Sequence, residues 1–288
     1  MVKKWGYAIF TSLLVFVLAA CSETAEPKTG TKEESKSELT LQEVYEKAIE
    51  RQKELESVSA DMKMNQVITF GSGEEKFVMG TKSNMKMDMI VDPLAMYMDG
   101  TMTMEDPDSG DDINVDMEMY MSEQGLFMQD SESKQWMKLP SDQFDMVMGQ
   151  TANQANAAEQ LEALKSFIDD FKFEQTDSEY VLTLSAASDK FKEYMLEQMQ
   201  LNQMLGVPSD EEEMFENMTF DKVNYTINLN KDNFDILSMD MVVNMGIGVE
   251  GQEISIEMNT NITFNNVNGV KNIVVPQEVI DKAVEIEQ

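Results

Sequence analysis

Cys21 is the only thiol in a chain of 288 residues that contains no histidine. That inventory removes catalytic triads that need His and metal centres built on Cys/His pairs. No G-x-S-x-G, G-x-x-x-x-G-K-[ST] or H-E-x-x-H motif occurs, so elbow-type nucleophiles, phosphate loops and helical zinc sites are not recognisable. Paired carboxylates for glycosyl transfer stay open among 54 acidic residues, because their separation is a tertiary quantity. "DPDSGDDINVD" has the composition of a calcium loop, but Gly110 falls fifth from Asp106 where an EF-hand needs glycine sixth. A hairpin turn accounts for it better. The chain therefore reads as a non-enzyme with no catalytic residue, metal or cofactor. Its abundant functional group is the thioether, with 27 methionines.

The surroundings of Cys21 carry the most specific signal. Met1-Val2-Lys3-Lys4 is basic, and Tyr7 to Leu18 is apolar apart from Thr11 and Ser12, the layout of a secretory leader. The run is too short for a stable membrane span. Leu18-Ala19-Ala20-Cys21 resembles the lipobox of bacterial lipoproteins. The resemblance implies diacylglycerol transfer to the Cys21 thiol and cleavage before it, leaving no free thiol and no disulfide. The expected location is the outer side of the cell membrane, with the lipid on Cys21 as the membrane contact. Removing residues 1–20 takes away Lys3 and Lys4, leaving 20 basic against 54 acidic side chains, a net charge of −34. Such a surface repels nucleic acid and anionic head groups, so nucleic acid is excluded as a partner.

Residues 21–38 hold no large apolar side chain and are rich in Ser, Thr, Glu and Lys, the composition of a flexible tether. A single domain is expected over 39–288. Thr40 and Glu43 form a T-x-x-E capping box, and Leu41, Val44, Tyr45, Ala48 and Leu55 recur at helical spacing to about Ser57. From Ser59 the period becomes two: Met62 and Met64, then Met85, Met87 and Met89, then Met96 and Met98, then Met102 and Met104. Val115, Met117, Met119 and Met121 continue it against Asp116, Glu118 and Tyr120. Strict alternation means strands with one buried and one wet face. Turn-like breaks at Gly71-Ser72-Gly73, Asp99-Gly100 and Asp106–Asp112 imply antiparallel hairpins.

The middle of the chain is helical, with Leu161, Leu164, Phe167 and Ile168 on one stripe, followed by a hairpin turning at Asp177-Ser178. A second helix is expected from Ser188 to Met204, stopped by Gly206 and Pro208. Strands resume from Met218 to about Val267, and a short helix follows Pro276. The architecture expected is α+β: one large curved antiparallel sheet, an incomplete β-barrel, wet outside and with helices on its concave face.

The stretches Met119–Leu139, "LEALKSFIDDFKF", "EYVLTLSAASDKFKEYMLEQM", "VNYTINLNKDNFDILSMDMVVNM" and "VKNIVVPQEVIDKA" together resemble an uncharacterised family of methionine-rich lipoproteins of Gram-positive bacteria. The likeness covers most of the chain after residue 39. That family resembles in turn the LolA/LppX-type carriers, and the resemblance implies a cavity for lipid chains under covering helices.

Three roles for the methionines stand side by side. They fill a core, or form an adaptable lining for an apolar ligand, or hold Cu(I) through thioethers. M-x-M pairs share a strand face with Ile113, Val115 and Val243, so burial explains them without metal. The residues expected to line a ligand site are Met85, Met87, Met89, Met96, Met98, Met117, Met119 and Met121. The protein is read as a tethered binder or carrier of a lipid or other apolar molecule. The alternative is a structural or interaction protein of the cell envelope with a filled core.

Overall fold

The computed structural model describes residues 23–33, 35–71, 76–105, 110–186, 218–249 and 252–286. The leader, Cys21, the residues 106–109 and the helix expected from Ser188 to Met204 lie outside these. The first meander comprises β2 (Ser57–Phe70), β3 (Phe77–Ile90), β4 (Ala95–Glu105), β5 (Asp112–Ser122), β6 (Gly125–Gln129) and β7 (Trp136–Lys138), preceded by β1 (Glu26–Pro27) and α1 (Leu41–Lys53). Next come α2 (Ser141–Ala155), α3 (Ala157–Leu164) and a 3-10 turn over Lys165–Asp170. The second meander is β8 (Phe171–Gln175), β9 (Glu179–Ala186), β10 (Met218–Asn230), β11 (Ile236–Val249) and β12 (Gln252–Asn265). The short helix α4 (Gln277–Lys282) and β13 (Val284–Glu285) follow it.

The thirteen strands among the described residues join one open sheet in the order β1-β8-β9-β10-β11-β12-β2-β3-β4-β5-β6-β7-β13, not closed into a barrel. The two meanders meet where β12 pairs β2 over a long antiparallel register, from Asn265↔Ser59 to Ile254↔Phe70. The alternating pattern of the sequence produces this directly, since each hairpin needs only a turn and one apolar face. α1 starts as expected: the Glu43 amide donates to the Thr40 hydroxyl (3.2 Å) and the Thr40 amide donates to the Glu43 carboxylate (2.9 Å). It ends at Lys53 rather than Ser57, because Ser57 opens β2.

The main core lies between α1, α3 and the β8–β12 half of the sheet. Tyr45, Leu161, Phe173, Leu182, Ile227 and Val243 are among its buried members, and the Tyr45 hydroxyl donates to the Leu161 carbonyl at 2.7 Å. A second cluster, Phe127, Trp136, Val275 and Val279, sits where α4 packs on β5–β7. Cross-strand register places Phe127 with Tyr120 and Tyr97, opposite in pleat to the methionines. The outer face is thus not wet throughout: α4 covers it at this end.

Residues 23–38 depart from the expected tether. Glu26 and Pro27 pair parallel with Glu174 and Gln175, and the Lys28 amide donates to the Gln175 carbonyl at 2.8 Å. Amides of Lys32 and Glu33 donate to Asp177 at 2.8 and 3.1 Å, and the Gln175 side chain donates to the Ser35 carbonyl at 2.8 Å. Ala25 is 0% exposed. Composition misleads here because the segment is ordered by backbone pairing on an open sheet edge, which needs no large side chain.

Candidate functional site

Between the inner face of the sheet and the helices lies an open cavity of about 590 Å³. β2–β4 supply Val58, Ala60, Met62, Met87, Met89 and Met96 to its wall, and β11 and β12 supply Met239, Met241, Ile262 and Phe264. The roof is the end of α1 at Gln52, one turn of α2 at Thr151, and the α3 face bearing Ala157, Gln160, Leu161 and Leu164. This size falls within the ~300–1,000 Å³ of ordinary small-molecule sites.

Register explains how the wall forms. Directly paired residues of an antiparallel sheet project to the same side. Ala60, Met87, Met98 and Met119 therefore form one row, continued by Met128 and Met137. Val58, Met89, Met96 and Met121 form a second. In a third, Met62, Met85, Gly100 and Met117 are in line. All eight expected methionines thus share the inner face.

They do not share the cavity. Met87, Met89 and Met96 line it, whereas Met121 is 1% exposed within packed side chains. Met85 is buried with its sulfur over Gly100, and Met117 is 37% exposed. Met98 and Met119 are half-buried and outside the lining. Met62, Met239 and Met241 complete the lining and were absent from the expected set. Their alternation was as plain as that of the others. What alternation lacks is the position of the roof, which selects part of a long apolar face.

Two polar groups on the wall, Asp235 and Thr151, are bonded within the protein. Asp235, 9% exposed, accepts from Arg51 Nε at 2.6 Å and from the Asn233 amide nitrogen at 2.7 Å. Its hydrogen bond holds the Arg51 guanidinium above its ordinary pKa. The Thr151 hydroxyl donates to the Val147 carbonyl at 2.9 Å within α2. Next to the wall residue Val267, Asn268 Oδ1 accepts from the Glu56 and Ser57 amides at 2.8 and 3.3 Å, and its Nδ2 donates to the Glu54 carbonyl at 3.0 Å. These bonds fasten the exit of β12 to the α1–β2 corner.

The opposite face carries a shallower, polar depression of about 310 Å³ beside Asp61, Lys86, Asp88, Tyr97 and Asp99. Tyr97 donates to Glu118 at 3.2 Å, and its ring lies 4.6 Å from that of Tyr120. Burial, then the charge of Glu118, raises the phenol pKa of both tyrosines above the ordinary value. Among the described residues, no group of three or more His, Cys, Asp or Glu side chains is placed to hold a metal ion. No described helix is long and apolar enough to cross a membrane.

The profile of a family of unknown function, DUF6612, matches residues 40–284. The chain belongs to the DUF6612 family. The match begins at the α1 cap and ends at β13, so it includes every element around the cavity. No curated protein matches. Among solved structures, LprF from Mycobacterium bovis is similar at 11% identity over 82% of this chain and 96% of that one, with a TM-score of 0.40. A DUF1329 family protein from Desulfovibrio piger gives 11% identity, 78% and 91% coverage, and a TM-score of 0.22. A β-barrel-like DUF1849 protein from Brucella abortus gives 7%, 73% and 98%, and 0.19. Likeness at this level carries nothing about what the DUF6612 chain binds.

Proposed function

We propose that this DUF6612 protein is an extracytoplasmic lipoprotein, anchored through Cys21, whose folded domain binds a lipid or other apolar molecule. The observation that carries the reading is the open space under α1–α3, walled by flexible thioether and aliphatic side chains. Methionine closes around varied shapes without a fixed rotamer, so such a wall suits acyl chains of differing form. Each buried methylene contributes about 0.8 kcal/mol, so a chain of about ten can reach micromolar affinity after association costs. Met87, Met89, Met96, Met239 and Met241 are the residues proposed to touch it. An envelope interaction protein with a filled core would leave no such space.

The test is native mass spectrometry of residues 23–288 purified without detergent, followed by titration with a fluorescent acyl probe. Co-purified lipid or saturable micromolar binding is expected. Replacing Met87 and Met239 together by Asp should abolish it while circular dichroism stays that of the wild type. A wild-type domain that carries no lipid and binds no probe ends the proposal.

A further inference from the structure

The docked N-terminal segment has a consequence for the way an anchored protein meets its membrane. Only Ser22 separates Cys21 from Glu23. Glu23 is held in place: its carbonyl accepts from the Leu41 amide at 2.8 Å, at the start of α1. Thr24 bridges Thr40, and Ala25 is enclosed between Ser37 contacts, its amide donating to Ser37 Oγ (2.7 Å) and its carbonyl accepting from the Ser37 amide (3.0 Å). β1 then continues down the free edge of β8.

We infer that this N-terminal clasp abolishes the spacer, so that the edge formed by β1, β8 and the start of α1 lies directly against the bilayer that holds the Cys21 lipid. The inference rests on the anchoring proposed above. Two residues span at most about 7 Å from Cys21 to Glu23, which is about the depth of one head-group layer. A free tether over residues 22–38 would instead hold the domain at a root-mean-square distance of roughly 20 Å. Because β1 runs parallel to β8, the chain traced back from Glu26 heads toward the Phe171 end of that strand. The bilayer therefore meets this edge of the sheet, and the opposite edge at β13 is turned away from it.

The test uses the full, lipidated chain in phosphatidylcholine vesicles containing head-group nitroxide lipid. A single thiol is introduced by Glu38→Cys, at an exposed position two residues before Thr40, and labelled with a fluorophore. A second protein carries the label through Glu132→Cys in the β6–β7 turn, near the other edge. Strong quenching is expected at position 38 and little at 132. Inserting twelve Gly/Ser residues between Ser22 and Glu23, which leaves the clasp intact, should lower quenching at 38 at least twofold. Ala25→Asp, which buries a charge in the clasp, should lower it likewise. If intact mass shows acyl groups on Cys21 but position 38 is unquenched, or unchanged by the insertion, the clasp inference is overturned and anchoring stands. If Cys21 carries no acyl group, both fall.

Discussion

Ala157→Leu separates a vacant site from a filled core in one substitution. Ala157 opens α3, lies on the cavity roof and is only half-buried. Leucine is as good a helix former as the position needs, so the backbone is not the variable. Its three extra carbons point into about 590 Å³ of open space facing the methionine wall. Burying them there contributes up to about 2 kcal/mol at ~0.8 kcal/mol per methylene, so stability should be unchanged or raised. In a solidly packed core the same carbons would cost about 1–3 kcal/mol. The ligand loses the space those carbons occupy, and an acyl probe should bind about five- to tenfold more weakly, some 1–1.4 kcal/mol. Urea unfolding with a fixed m-value measures the first quantity, and fluorescence titration the second. A destabilised variant that binds the probe as well as wild type would refute the reasoning.

Gly100→Ala should destabilise the fold by more than about 1 kcal/mol, since the new Cβ would collide with the Asn84 carbonyl oxygen and approach Met85 Cα to 2.8 Å; thermal melting reads it. The Glu43 carboxylate is held below its ordinary pKa by the Thr40 amide, then by the Thr40 hydroxyl. A lowered folded pKa gives stability that is present above the unfolded value of 4.5 and lost as pH falls through the folded one. Glu43→Gln should therefore lower stability at neutral pH, flatten the acid limb of a stability-versus-pH profile below about pH 5 and leave the acid end little changed; an unaltered limb would count against the cap. Brief peroxide treatment followed by peptide mass spectrometry should oxidise Met146 (60% exposed) and Met117 before Met121 and Met85. Added ligand should slow oxidation of Met87, Met89 and Met96 and leave Met117 unaffected.

Much of the fold is legible locally. Period-two methionines in Met85–Met89 and Met117–Met121 can only be strands with one apolar face, because successive side chains leave a strand on opposite sides. Thr40 and Glu43 mark the start of α1 because the first amides of a helix lack partners within it. The turn at Asp177-Ser178 joins β8 to β9 as expected, but Asp99-Gly100 runs through the middle of β4, paired on both sides, and the chain turns at residues 91–94 instead. Placing all eight expected methionines on one face needed only their parity.

Tertiary structure alone decided the rest. Met87 and Met121 are equivalent in pattern, yet one lines the cavity and the other is packed away, because the helices α1–α3 roof only part of the face. Trp136 and Phe127 are buried on the face that alternation calls wet, since α4 returns from the end of the chain to cover them. Residues 23–38 look like a spacer by composition and are instead bound to an edge strand through backbone amides, whose pairing side-chain identity does not encode. Sequence period is a property of one strand or helix, whereas a roof, a covered outer face and an occupied sheet edge each depend on contacts between segments more than a hundred residues apart.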